Sequence, residues 1–252
     1  MTGSDLSSVA YKSPPITEAV IGINFSSPIS PSDIEAVVKK FSSSYPDYQT
    51  VSTYDVSVEL VNDQTSKPTA DFNQLIGHRL STADMTQILL LWPSSITISQ
   101  LSPYQGWDDL FKRFVRDWSV LKRIIGFQTI SRVGVRYINR VDIPVTESIL
   151  EYEKYLNIYP KMPELLNHLE AYAMQSAAHL KDIDCQLKLN TASVPSPLLD
   201  HGSFVIDQDI SKAINPPQSD KDIYDLLNKI RVQKNLIFEA CINVHARKLF
   251  NE

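Results

Sequence analysis

The sequence predicts an α+β fold. Two consecutive halves each read strand, helix, three strands, helix, and together build one curved eight-stranded antiparallel sheet with long helices on one face. Three observations carry this. Period-two and period-3.6 apolar patterns follow one another in the same order twice. Each half closes on a long amphipathic stretch whose apolar stripe needs a sheet to cover. The seven glycines form neither GxGxxG nor GxxxxGK[ST], which excludes the dinucleotide and P-loop folds. The repeat is one of pattern, without residue-level similarity. Residues 1–13 read as a flexible arm, 14–127 as the first half and 128–252 as the second, both within one compact unit.

Pro14-Pro15 stiffens the approach to the first strand, Ala19–Phe25. Ser30 or Ser32 caps a helix whose first turn holds Pro31 and whose apolar positions are Ile34, Val37, Val38 and Phe41. Pro46 ends that region. Val51–Val61 alternates as a strand, Asn62–Asn73 reads as a polar loop, and Arg79–Trp92 with Ile96–Leu101 reads as a hairpin turning at Pro93-Ser94-Ser95. Leu110, Phe111, Phe114, Trp118, Leu121 and Ile125 stripe a helix over Trp107–Ile125. Its acids (Asp108, Asp109) lie first, its bases (Lys122, Arg123) last, and Gly126 stops it. The second half runs through the strand Ile130–Ile143, a helical spacing over 147–159, a short turn at Lys161–Leu166, and strands at His168–Ala178, Cys185–Val194 and Ser203–Ile210. A terminal helix spans Asp222–Phe250, with Lys234 interrupting its apolar stripe.

The chain has 252 residues, 43% hydrophobic and 21% charged, which suits a folded globular protein. A net charge of −5 is not that of a non-specific nucleic-acid coat. Cys185 and Cys241 form no CxxC or Cys/His cluster, which argues against a disulfide scaffold and a structural zinc site. The N-terminus lacks the apolar segment of a signal peptide, and no run approaches the roughly 20 apolar residues of a membrane span. The expectation is a cytoplasmic protein with no membrane association and no cofactor.

The sharpest chemical feature is in Ile130–Ile143. Arg132, Arg136 and Arg140 recur every fourth residue, so all three point to one face of the strand while Val133, Val135, Tyr137, Asn139, Val141 and Ile143 point to the other. Two readings stand. The polar faces of other strands supply acids, including Glu18, Asp55, Glu59, Asp207 and Asp209, and where these lie opposite the arginines cross-strand ion pairs would stabilise the sheet. Alternatively, three rigid guanidinium forks could hold phosphates or carboxylates. Gly22 and Gly134, on the same face, hint at room left there.

Catalytic constellations are sparse. The five histidines show no metal spacing, and His245 reads as a core residue of the terminal helix. The Asp207/Asp209 pair could bind a metal, and Glu18 with Glu59 could act as an acid/base pair if their strands were neighbours. Lys112, Arg113, Arg116 and Arg123 read as the solvated face of their helix.

Four segments occur together in order: SPPITEAVIGINF at the start, Tyr45-Pro46, RVGVRYINRVDIP in the centre, and FEACI near the end. By these the chain resembles a sporadically distributed family of uncharacterised bacterial proteins of similar length. The resemblance covers nearly the whole chain and brings no established activity. It marks the RYxN step (Arg136, Tyr137 and Asn139) together with Glu18, and its sporadic distribution implies an accessory gene of a mobile or conflict-related system. In pattern, the doubled halves are similar to TATA-binding-protein-like saddles.

The function expected from the sequence is non-enzymatic binding. The face around Arg132, Arg136, Arg140, Tyr137, Asn139 and Glu18 would hold a protein or polyanionic partner. The alternatives are a metal-dependent phosphate-processing enzyme and a nucleic-acid binder with a saddle-like sheet. A terminal helix emerging from the core beyond Lys234 would offer a surface for a partner or for a homodimer.

Overall fold

The computed structural model describes residues 11–59, 69–145, 150–163, 165 and 169–251, with the backbone alone for 54–59 and 69–74. In chain order the elements are β1 (Ile16–Phe25), α1 (Pro31–Phe41), β2 (Asp47–Glu59), β3 (Thr69–Ser81), β4 (Gln87–Trp92), β5 (Ser95–Leu101), α2 (Trp107–Ile125) and β6 (Ile130–Pro144). Then follow a 3-10 turn (Tyr152–Lys154), β7 (Ala173–Leu180), β8 (Cys185–Val194), β9 (His201–Lys212), α3 (Asp220–Cys241) and α4 (Val244–Leu249). The strands make one antiparallel sheet in the order β2-β3-β4-β5-β1-β6-β9-β8-β7. The α+β class, the single antiparallel sheet and its one helix-covered face are as the sequence predicts.

The central pair, β1 and β6, explains the layering. Ala19 faces Tyr137, Ile21 faces Val135 and Ile23 faces Val133, all six buried and on the helix side. On the other side, Val20 faces Arg136, Gly22 faces Gly134 and Asn24 faces Arg132. One hydrophobic cluster runs from Phe41 and Leu80 in the first half to Ile206, Ile230 and Phe250 in the second. Ser30 caps α1 by accepting from the Asp33 amide at 3.1 Å. Gly126, at φ 68°, ends α2 and donates its amide to the Lys122 carbonyl. Two corrections concern side chains. Arg113 is buried rather than solvated and donates to the Ser99 carbonyl at 2.8 Å, within a cluster that includes Tyr45 and the fully buried Asp117. His245 is exposed, edge-on to Tyr155, because the terminal helix breaks before it.

The sheet has nine strands rather than eight. The run Arg79–Trp92 is two strands, parted by a turn without glycine or proline. Asp84 accepts from the Thr82 hydroxyl at 2.6 Å and from the Thr86 amide at 3.2 Å, and Met85 takes φ 59°. The predicted loop Asn62–Asn73 overlaps β3 from Thr69 onward. In place of the helix over 147–159, the described residues form only the 3-10 turn; 146–149 lie outside them, as do 164 and 166–168 of the expected short turn and the start of the expected strand at His168. That strand begins at Ala173.

The terminal helix is two helices. Segment 155–157 caps the break: Asn157 donates its backbone amide to the Cys241 carbonyl at 2.8 Å, and the Asn243 amide donates to the Tyr155 carbonyl at 3.0 Å. Of the N-terminal arm, residues 1–10 lie outside the described set, but Tyr11 packs edge-on to Phe250 and the Ser13 amide donates to the Phe250 carbonyl at 2.9 Å. Among the described residues no helix is long and apolar enough to cross a membrane.

Candidate functional site

The structure divides the six residues marked by the sequence between the two faces of the sheet. Arg132, Arg136, Arg140 and Glu18 lie on the open face; Tyr137 and Asn139 lie beneath the helices. Each arginine is engaged by a carboxylate of the chain. Arg132 donates to both oxygens of Asp209 at 2.6 and 2.9 Å. Arg136 forms a two-pronged pair with Asp207, both contacts at 2.8 Å, and Arg140 pairs with Asp142 of its own strand at 3.0 Å. Glu18 accepts from the Ser99 hydroxyl at 2.8 Å. Gly134 makes the first pair possible. A Cβ there would stand 2.8 Å from the Ser211 Cβ and 3.1 Å from the Arg132 guanidinium nitrogens as they pass towards Asp209.

Asp207 and Asp209 are therefore committed to arginines. The proposed Glu18–Glu59 pair does not form, because β3, β4 and β5 separate β1 from β2, a span of about 19 Å at ~4.8 Å per strand. The side chains of Asp55 and Glu59 lie outside the described residues, and no group of three or more His, Cys, Asp or Glu among those described could hold a metal ion. Cys185 and Cys241 are buried, which pushes both thiols up to about 11.

The covered face holds a cavity of about 400 Å³ between β6, α3, the loop leading into α2, and the segment before β1. That size lies in the range of small-molecule pockets. Tyr11, Tyr104, Trp107, Tyr137 and Phe238 give it aromatic walls, and Lys12, Arg231, Lys234 and Glu239 give it charge. Tyr137 and Tyr104 join hydroxyl to hydroxyl at 2.7 Å with rings edge to face. Burial raises both phenols, Tyr104 to about 12, so both stay protonated at neutral pH. Asn139 is anchored by donating to the Ile206 carbonyl at 3.1 Å. Glu239, the one acid among the described lining residues, is already satisfied: Arg247 donates to it at 2.8 Å and the Tyr11 hydroxyl at 2.5 Å.

Lys234 is the unusual member. On α3 it follows Ile230 and precedes Phe238 at helical spacing, on the stripe made by Ile223, Leu226, Leu227, Ile230, Phe238 and Cys241. It thus points inward, and its Nζ stands 3.7 Å from the centroid of the Tyr137 ring. Among the described residues its amine has no hydrogen-bonding carboxylate or carbonyl. Lys234 is partly exposed, towards the cavity, and desolvation there, helped by the positive charge of Arg231 and opposed by Glu239, pushes its amine down to about 7. Gln208 of β9, fully buried, reaches the same turn of the helix: with its side-chain amide turned to suit both neighbours it accepts from the Phe238 amide at 2.9 Å and donates to the Lys234 carbonyl at 3.3 Å.

The lysine was visible in the sequence as a break in the stripe. The break predicts a helix end leaving the core; in the structure the stripe continues inward through Lys234. The cavity itself needs Tyr104, Tyr137 and Tyr11 brought together from three distant segments, and no local signal shows that.

The chain matches no protein-family profile and no curated protein. Among solved structures it has a likeness to DynU16, a protein of the dynemicin biosynthetic locus, at 9% identity and a TM-score of 0.24, over 90% of this chain and 98% of that one. At that score the likeness carries no argument about fold or function.

Proposed function

We propose that the protein is a binding protein that holds a small anion with an apolar, aromatic-sized body in the cavity beneath α3. The observation behind this is the charge balance there. Among the described lining residues Lys12, Arg231 and Lys234 stand against one carboxylate, Glu239, which Arg247 already neutralises, and outside the lining only the exposed Asp108 reaches Arg231, at 3.6 Å. A carboxylate or phosphate beside Lys234 would supply the counter-charge that the amine lacks, and the aromatic walls would bury the ligand body. Calorimetry with benzoate, phenyl phosphate and the neutral benzamide tests this. The two anions are expected to bind at least about tenfold more tightly than benzamide, and Lys234→Met to erase the difference. Equal binding of all three would overturn the reading.

A second reading keeps the open sheet face as the docking surface for a protein or polyanionic partner. It is favoured by the exposure that the paired arginines retain, 31%, 49% and 37% for the side chains of Arg132, Arg136 and Arg140. An accessory role in a mobile or defence-related system, implied by the family resemblance, fits either surface. Retention on a heparin column that falls steeply with salt would support the second reading, and no retention would remove it.

A further inference from the structure

We propose that Lys234 is a nucleophilic amine that captures a small aldehyde or ketone carrying an anionic group, holding it as an imine in the cavity beneath α3. The inference rests on the anion-binding reading of that cavity and adds the chemical class of the ligand.

Lysine becomes a nucleophile when it loses its proton at neutral pH, as happens when it is desolvated in an apolar pocket or set beside another cation. The place of the amine in the cavity, in the company of Arg231, offers both. The amine lies against the Tyr137 ring, 3.7 Å from its centroid, with no carboxylate hydrogen-bonded to it among the described residues. Arg231, one turn earlier on the same helix, shares the cavity and is itself only loosely paired, 3.6 Å from the exposed Asp108. The cavity around the amine is lined by Tyr137 and Asn139 from β6, Tyr104 from the loop after β5, Tyr11 and Lys12 from the first segment, and Arg231 and Glu239 from its own helix, with Arg247 of α4 held on Glu239. The depressed lysine value agrees with this setting.

The step balances without a co-reactant. The neutral Nζ lone pair attacks the carbonyl carbon, a C–N bond forms as the C=O π bond breaks, the oxygen takes up a proton, and the nitrogen returns its first proton to the donor, giving a carbinolamine. Loss of that oxygen as water, with the second nitrogen proton, leaves the imine: amine plus carbonyl gives imine plus water. The Tyr104–Tyr137 hydroxyl pair lies at the rim of the ring that the amine covers and stays protonated at neutral pH. It is placed to donate the proton to the carbonyl oxygen. Arg231 and Lys12 would receive the anionic group.

The test is reductive trapping. The full chain is incubated with 4-carboxybenzaldehyde and cyanoborohydride at pH 7, and the adduct is mapped by mass spectrometry. One dominant adduct at Lys234 is expected, forming about tenfold or more faster than at any other lysine and absent in Lys234→Arg. Uniform labelling, or an adduct on Lys12 instead, would overturn the proposal. Two controls separate it from the reading beneath it. If benzoate binds by calorimetry but Lys234 is not labelled, the imine proposal fails and the anion site stands. If uncharged benzaldehyde labels Lys234 as fast as the carboxylated probe, the amine is reactive but the anion reading fails.

Discussion

Lys234 costs the fold stability. An unfolded lysine titrates near 10.4, whereas the folded one titrates near 7. Between these values the unfolded chain binds the extra proton, so stability rises with pH, by up to about 1.4 kcal/mol per unit from this group. The penalty is fully present below pH 7 and gone above about 10.4. Lys234→Met should therefore be more stable than wild type at pH 7, and its stability should rise less between pH 7 and 10. Urea unfolding at pH 7, 8 and 9 checks both; an unchanged or lower stability at pH 7 would mean that the lysine is not desolvated. A residue kept at such a cost calls for a function. The sequence displayed it only as a flaw in an apolar stripe, because inward direction follows from what covers the helix and not from the helix alone. The arginine row, in contrast, was legible at once, since alternation along a strand fixes its face. What alternation could not show was that Asp207 and Asp209 take two of the three forks.

At the scale of elements, two close approaches carry predictions. Gly134→Ala sets a Cβ 2.8 Å from the Ser211 Cβ, an atom fixed to the β9 backbone. It should cost roughly 1–3 kcal/mol by overpacking. Ser211→Gly in the same chain should recover part of that loss in denaturant unfolding, and no recovery would place the strain elsewhere. Gln208→Ala removes the amide that bridges the Lys234 carbonyl and the Phe238 amide. It should cost about 1–3 kcal/mol and speed hydrogen exchange at Phe238; unchanged exchange would show that the Phe238 amide does not depend on Gln208. Helix α2, strand β8 and the start of α1 were readable from the sequence because caps, charge order and alternation agree there. The turn at 82–86 and the break after Cys241 were not. The first is built by Asp84 and its threonine neighbours, the second by backbone pairing with residues 155–157, more than eighty positions away.

For the whole molecule, the central β1–β6 pair joins the two halves through Ala19–Tyr137, Ile21–Val135 and Ile23–Val133, and one core runs through both. Neither half can bury its sheet without the other, so unfolding should be a single cooperative transition. Coincident far-UV and near-UV dichroism curves would bear this out, and two separated transitions would contradict it. The sheet then serves two purposes with two faces. One neutralises its arginines and stays wet; the other is covered by helices and holds the cavity of Lys234, Arg231 and the tyrosines.

The measurement that tests this account most directly is the titration of the Lys234 amine by NMR, with lysine labelled at the side-chain carbon, in the absence and presence of benzoate. The account predicts a midpoint near 7 in the free protein and a clear upward shift when benzoate is bound, as the added negative charge favours the ammonium. A midpoint near 10 that benzoate does not move would contradict it.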